Sequence, residues 1–151
     1  GVNISADTTI QLAKDFPNII GIKEASGNMA QCMDILLNRP QGFTVVSGED
    51  ALVLPLMALG MQGVISVTAN AFPRLMSEMV AHSLKSNLKK ARAIHETLLP
   101  FSNAIFEEGN PVGIKAALEI LGITSPYVRQ PLVKASKQLQ TKLQTIVNNI
   151  I

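Results

Sequence analysis

Ile19-Ile20-Gly21-Ile22-Lys23-Glu24-Ala25-Ser26-Gly27-Asn28 is the stretch that decides the fold. Its first four residues form a short apolar run with β-branched bulk and no polar alternation. That is the pattern of a strand buried on both faces of a parallel sheet. Lys23 to Asn28 reads as a polar, small-residue loop, and Met29, Met33, Ile35, Leu36 and Leu37 follow at helical spacing as far as Arg39-Pro40. The same order then recurs. Phe43-Thr44-Val45-Val46 predicts a strand, Ser47-Gly48-Glu49-Asp50 a loop, and residues 51–59 a helix closed by Gly60. Gly63-Val64-Ile65-Ser66-Val67 predicts a third strand, Thr68-Ala69-Asn70 a loop, and residues 73–84 a helix. Strand, short loop and helix at this period imply a parallel sheet with right-handed crossovers.

Outward from these repeats, Asp7 opens a helical pattern that Pro17 ends. After about residue 86 the strand signal disappears. Residues 88–106 read as a long helix, with Pro100 expected to kink or interrupt it. Residues 107–111 form a break, and residues 112–121 a helix with Gly122 as its cap. Ser125-Pro126 and Gln130-Pro131 mark an extended connection before a last helix over residues 136–147. The chain therefore divides into a βα-repeat region, residues 1–85, and a helical region, residues 86–151. No flexible linker separates them, so they are expected to pack together. Two architectures suit the repeats, an open doubly wound sheet or a section of a (β/α)8 barrel. A complete barrel needs roughly 200–250 residues.

Composition narrows the function classes. The 151 residues are 47% hydrophobic and 16% charged, too apolar for a disordered chain. Thirteen basic and 11 acidic residues give a net charge of +2, with no basic run, so nucleic acid is not an expected partner. No uninterrupted apolar stretch is long enough to suggest a membrane span. A single cysteine cannot form an internal disulfide framework, which fits a reducing, cytoplasmic setting. The opening Gly1-Val2-Asn3-Ile4 lacks Met and any signal pattern, and reads like the middle of a longer protein. Neither G-x-G-x-x-G after a strand nor a phosphate-binding loop motif occurs.

Lys23 is the leading candidate for chemistry. It ends an apolar strand, where barrels place their active sites. Burial there would disfavour the ammonium form and free the amine to attack a carbonyl as a Schiff-base lysine. The alternative is a surface lysine paired with Glu24 or a neighbouring carboxylate. The loops at Ser47–Asp50 and residues 66–70 offer hydroxyls and N–H groups on the same rim, a cradle for a carboxylate. Ser47 and Asn70 equally suit helix capping, while Gly48 allows close backbone approach. His82 and His95 lack carboxylates at metal-ligand spacing, and Cys32, among apolar neighbours, reads as packing.

Taken together, Gly21–Asn28, Val46–Asp50 and Gly63–Asn70, with the later Asn110-Pro111-Val112-Gly113-Ile114-Lys115, resemble the dihydrodipicolinate synthase family of pyruvate-dependent class I aldolases. The resemblance covers nearly the whole chain in order. It implies strands six to eight of a (β/α)8 TIM barrel with their helices, followed by a C-terminal helical extension. It further implies that Lys23 forms the Schiff base with pyruvate, that the Ile65 backbone contacts the bound pyruvate, and that Gly48 lines the same pocket. The implied activity is a lyase that condenses pyruvate with aspartate semialdehyde, toward lysine and diaminopimelate. No metal or organic cofactor is implied, and the extension points to a homotetramer. The family's Tyr-x-x-Pro-x-Arg-Thr segment lies before the residue matching Gly1, so this chain is expected to hold the nucleophile without its proton relay. Two other readings are a sister pyruvate aldolase, such as an N-acetylneuraminate or 2-keto-3-deoxy sugar acid lyase, and a non-catalytic half-barrel whose open edges associate with another chain.

Overall fold

A computed structural model describes residues 2–151. The chain resolves into two compact units, each drawn from two stretches of sequence. The first runs up to Ser66 and takes in Val80–Leu88, and the second comprises Val67–Met79 and Lys89–Ile151.

In the first unit, α1 (Ala6–Asp15) precedes β1 (Gly21–Glu24), α2 (Met29–Asn38) and β2 (Thr44–Ser47). Side chains set the helix starts. Ser5 accepts from the Thr8 N–H, and Asn28 accepts from both Ala30 and Gln31 N–H, satisfying donors that a helix leaves open. β1 and β2 are parallel, with Lys23 opposite Val46 and Glu24 opposite Ser47, and α2 is the crossover between them. Cys32, Ile35, Phe43, Val45, Leu56 and Met61 form the buried core under this sheet. Full burial of a side chain such as Ile35 contributes about 1.5–3 kcal/mol.

Both strands run later than the apolar pattern predicted. β1 extends over Lys23 and Glu24, and β2 over Ser47, because main-chain pairing continues after the apolar residues stop. The third expected strand is reduced to one parallel bridge between Ser47 and Val64. Gln62 explains some of this shortening. Its side-chain oxygen, rather than a main-chain carbonyl, accepts the Val45 N–H at 2.9 Å. The helix expected over residues 51–59 is divided into a 3-10 turn, Asp50–Leu52, and α3, Val53–Ala58.

The second unit is helical. It holds a 3-10 turn (Thr68–Asn70), the start of α4 (Pro73–Leu84), nearly all of α5 (Leu88–Ala104), and α6 (Val112–Ile120) and α7 (Lys137–Asn148). Pro100 does not interrupt α5. Proline removes one helical donor, but Leu98, Phe101 and Ala104 are buried around it and hold the segment in place. Phe101 meets Phe72 edge to face, with ring centroids 4.8 Å apart. The hydroxyls of Thr68 and Ser102 pair at 2.8 Å in the interior. Gly113 lets α6 lie against the Ile105 backbone, where an added Cβ would sit 2.2 Å from the Ile105 carbonyl oxygen. Ser136 caps α7 and donates to Glu108, and Lys142 of α7 pairs with Glu107.

Candidate active site

The C-terminal ends of β1 and β2 bring together Lys23 and Gly48. A Cβ on Gly48 would lie 2.7 Å from Lys23 Cε, 3.2 Å from its Cγ and 2.5 Å from the Ala25 Cβ. Only glycine admits the lysine stem at this distance. The Gly48 N–H donates to the Glu24 carbonyl at 2.7 Å, which holds the two strand ends in register. Ile65 follows one residue after the Ser47–Val64 bridge, and its N–H donates to the Ser47 carbonyl at 2.8 Å. Strand alternation turns Lys23, Ala25 and Val46 to one face, with Gly48 and Ile65 along it. The three residues singled out from the sequence thus stand on one sheet end.

Two expectations need correction. Lys23 is exposed, not buried, because α2 packs on the other face of β1. Glu24 is not its ion partner. As the next strand residue, Glu24 points the opposite way and is 4% exposed. Its carboxylate accepts from the Ser26 N–H at 3.1 Å, Gln31 Nε2 at 2.9 Å and Cys32 Sγ at 3.0 Å. Burial pushes the Glu24 pKa up, but the hydrogen bonds from Cys32, Ser26 and Gln31 together outweigh it and hold the carboxyl below its ordinary value. The Cys32 thiol is pushed up to about 12 by burial first, then by its bond to Glu24 and that group's charge. Cys32 is therefore a packed donor rather than a nucleophile, as its apolar neighbours implied.

Several N–H groups at this end of the sheet are engaged within the chain. The Ser47 N–H donates to the Gly63 carbonyl, that of Gly48 to Glu24, and that of Ile65 to Ser47. The Glu49 N–H donates to the Ser47 hydroxyl, which itself donates to the Glu49 carbonyl. Ser47 therefore closes a tight turn and does not cap a helix. Asn70 ends its 3-10 turn, donating from its amide to the Val67 carbonyl. An open hollow beside β1 is lined by Val2, Asn3, Ile4, Lys23 and Glu24 among others. Among the described residues, no three His, Cys, Asp or Glu side chains cluster as metal ligands. No described helix is long and apolar enough to cross a membrane.

Glu24 is the residue that sequence reasoning treated only as a partner for Lys23. Its distinct role was readable once β1 is extended by two residues, since alternation then separates adjacent side chains onto opposite faces.

Comparison with known proteins places the whole chain. The profile of the dihydrodipicolinate synthetase family matches residues 1–150. A 4-hydroxy-tetrahydrodipicolinate synthase of Phocaeicola vulgatus is 44% identical over 150 residues, which are 99% of this chain and 50% of that protein. The crystal structure of dihydrodipicolinate synthase from Thermotoga maritima superposes with a TM-score of 0.96 at 36% identity, covering 99% of this chain and 52% of that one. The chloride-inhibited dihydrodipicolinate synthase of Acinetobacter baumannii, complexed with pyruvate, gives a TM-score of 0.94 at 33% identity over 99% and 51% of the two chains. The chain spans about half the length of the curated relatives it matches.

Proposed function

The chain belongs to the dihydrodipicolinate synthetase family, and from that premise we propose that it carries the Schiff-base portion of a 4-hydroxy-tetrahydrodipicolinate synthase. On this reading the βα repeats are strands six to eight of a (β/α)8 barrel, and Lys23 is the nucleophile. The observation that carries it is the contact between the Lys23 stem and Gly48 at the C-terminal ends of two parallel strands, the end at which such barrels do their chemistry.

The steps follow from the amine. Lys23 Nζ attacks the keto carbon of pyruvate, and loss of water leaves an imine. Protonation of the imine nitrogen makes the methyl group acidic, and loss of one methyl proton gives the enamine. The enamine carbon then bonds to the aldehyde carbon of aspartate semialdehyde, which regenerates the iminium, and the former aldehyde oxygen takes up a proton to become a hydroxyl. Attack by that substrate's amine on the imine carbon closes the ring and releases Lys23. The Ile65 N–H is engaged with Ser47, so the backbone contact to pyruvate implied by the family resemblance falls on this reading to its carbonyl. Gly48 supplies room for the lysine stem. General acid–base help, typically worth 10²–10⁴-fold, falls on this reading to the tyrosine of the family segment that no residue here matches. The sister-aldolase reading has less support, because the relatives compared above carry the synthase name. A cytoplasmic homotetramer goes with the proposed activity.

Intact-mass spectrometry after incubation with pyruvate and borohydride, followed by peptide mapping, tests the reading. A reduced pyruvyl adduct on Lys23 is expected. A chain that is folded by circular dichroism yet forms no adduct overturns it.

A further inference from the structure

β1 ends on two adjacent residues with opposite surroundings. Lys23 is exposed, while Glu24 is buried with three donors on its carboxylate, the Ser26 N–H, the Gln31 amide and the Cys32 thiol. Gln31 is itself held by a pair of hydrogen bonds with Asn3, at 2.6 and 3.2 Å. On its main-chain side, the Glu24 carbonyl accepts from the Gly48 N–H. One residue is thus tied by its side chain to the start of α2 and by its backbone to the end of β2. All three side-chain partners are donors, so the set suits an acceptor-only carboxylate. An amide in its place would offer one acceptor oxygen where the carboxylate offers two.

The direction of a strand side chain follows the rotation of its backbone, and neighbouring residues rotate together. Fixing Glu24 on the α2 side therefore fixes Lys23 on the other. The same residue holds Gly48, against which the lysine stem lies. We propose that Glu24 is a positioning residue for Lys23, orienting the amine through its clamp on Ser26, Gln31 and Cys32 while touching neither substrate nor the reacting nitrogen. The inference rests on Lys23 being the reacting amine, as proposed above.

Two readouts on the chain test it. One is the nuclear Overhauser contact between the Gly48 α-protons and the Lys23 side-chain protons. The other is the rate of pyruvate trapping on Lys23 by borohydride, measured as a function of pyruvate concentration. In Glu24→Gln that stays folded by circular dichroism, the contact is expected to disappear. The saturating trapping rate is expected to fall at least tenfold, with the half-saturating pyruvate concentration changed less than twofold. Retention of either the contact or the rate in that variant overturns the proposal. If Glu24→Gln does not fold, Cys32→Ala and Cys32→Ser decide. Removal of the thiol donor should weaken both readouts and a hydroxyl should restore them, whereas wild-type behaviour of Cys32→Ala overturns the proposal. If the unmodified chain traps no pyruvate, the catalytic reading falls. The contact alone then judges the positioning role, which fails if Glu24→Gln keeps it.

Discussion

Replacing Gly48 by alanine probes the site where it is tightest. The new Cβ would stand 2.5 Å from the Ala25 Cβ and 2.7 Å from Lys23 Cε, against ordinary carbon contacts of about 3.5–4.0 Å. The lysine stem can rotate away. The Ala25 Cβ moves only with its backbone, and the preceding residue is held by the 2.7 Å bond from the Gly48 N–H to the Glu24 carbonyl. Relief therefore requires the strand ends to move apart by about 1 Å. Overpacking of this kind costs about 1–3 kcal/mol. At about 2–4 °C per kcal/mol for a chain of this length, the melting temperature should fall by roughly 2–12 °C. A misplacement of about 1 Å is worth on the order of 10²-fold in rate, so trapping of pyruvate on Lys23 should slow by about that factor. Borohydride trapping followed by peptide mapping, alongside a thermal melt, measures both. A Gly48→Ala chain that melts with the wild type and traps at its rate refutes the close packing of Gly48 on Lys23.

Other expectations concern the buried groups and the second unit. Lys23→Ala should abolish the reduced adduct while leaving the far-ultraviolet spectrum intact, since the side chain is exposed; an adduct elsewhere in the chain would move the nucleophile. Cys32, with its thiol pushed up to about 12, should resist iodoacetamide at neutral pH until denaturant is added, and rapid labelling of the native chain would contradict its burial. Gly113→Ala, whose Cβ would meet the Ile105 backbone at 2.2 Å, should destabilise by about 3 kcal/mol, read from the urea midpoint. The Glu24 carboxyl is held below its ordinary value of 4.5. Its contribution is thus full above that pH and lost as pH falls through the depressed value. The gap in urea midpoint between wild type and Glu24→Gln should therefore narrow as the solution is acidified below 4.5.

Much of the fold was legible because each repeat carries its own signals. The apolar runs at Ile19–Ile22 and Phe43–Val46 mark strands, and the helical spacing after Asn28 and from residue 136 marks helices, whose starts the structure shows capped by the Asn28 and Ser136 side chains. Strand ends were less legible. Pairing of Lys23, Glu24 and Ser47 depends on a neighbouring strand rather than on their own polarity. The third strand shrank in part because Gln62 competes with main chain at Val45, a long-range effect that periodicity does not carry. Lys23 and Gly48 stood out from their places at predicted strand ends, while the role expected of each, and Ile65 itself, came from the resemblance to a family. The close approach at Gly48 had a local clue in the glycine itself, while the clamp on Glu24 depends on Cys32, eight positions away.

The order in which the chain feeds its two units has a consequence for the gene that encodes it. Sequence passes from the first unit to the second at Ser66, back at Met79, and across again at Leu88. No single break can therefore separate the first unit from the second. A cut anywhere from Val67 to Leu88 leaves at least one of them in two pieces. Neither unit can be excised, duplicated or shuffled as an unbroken length of gene.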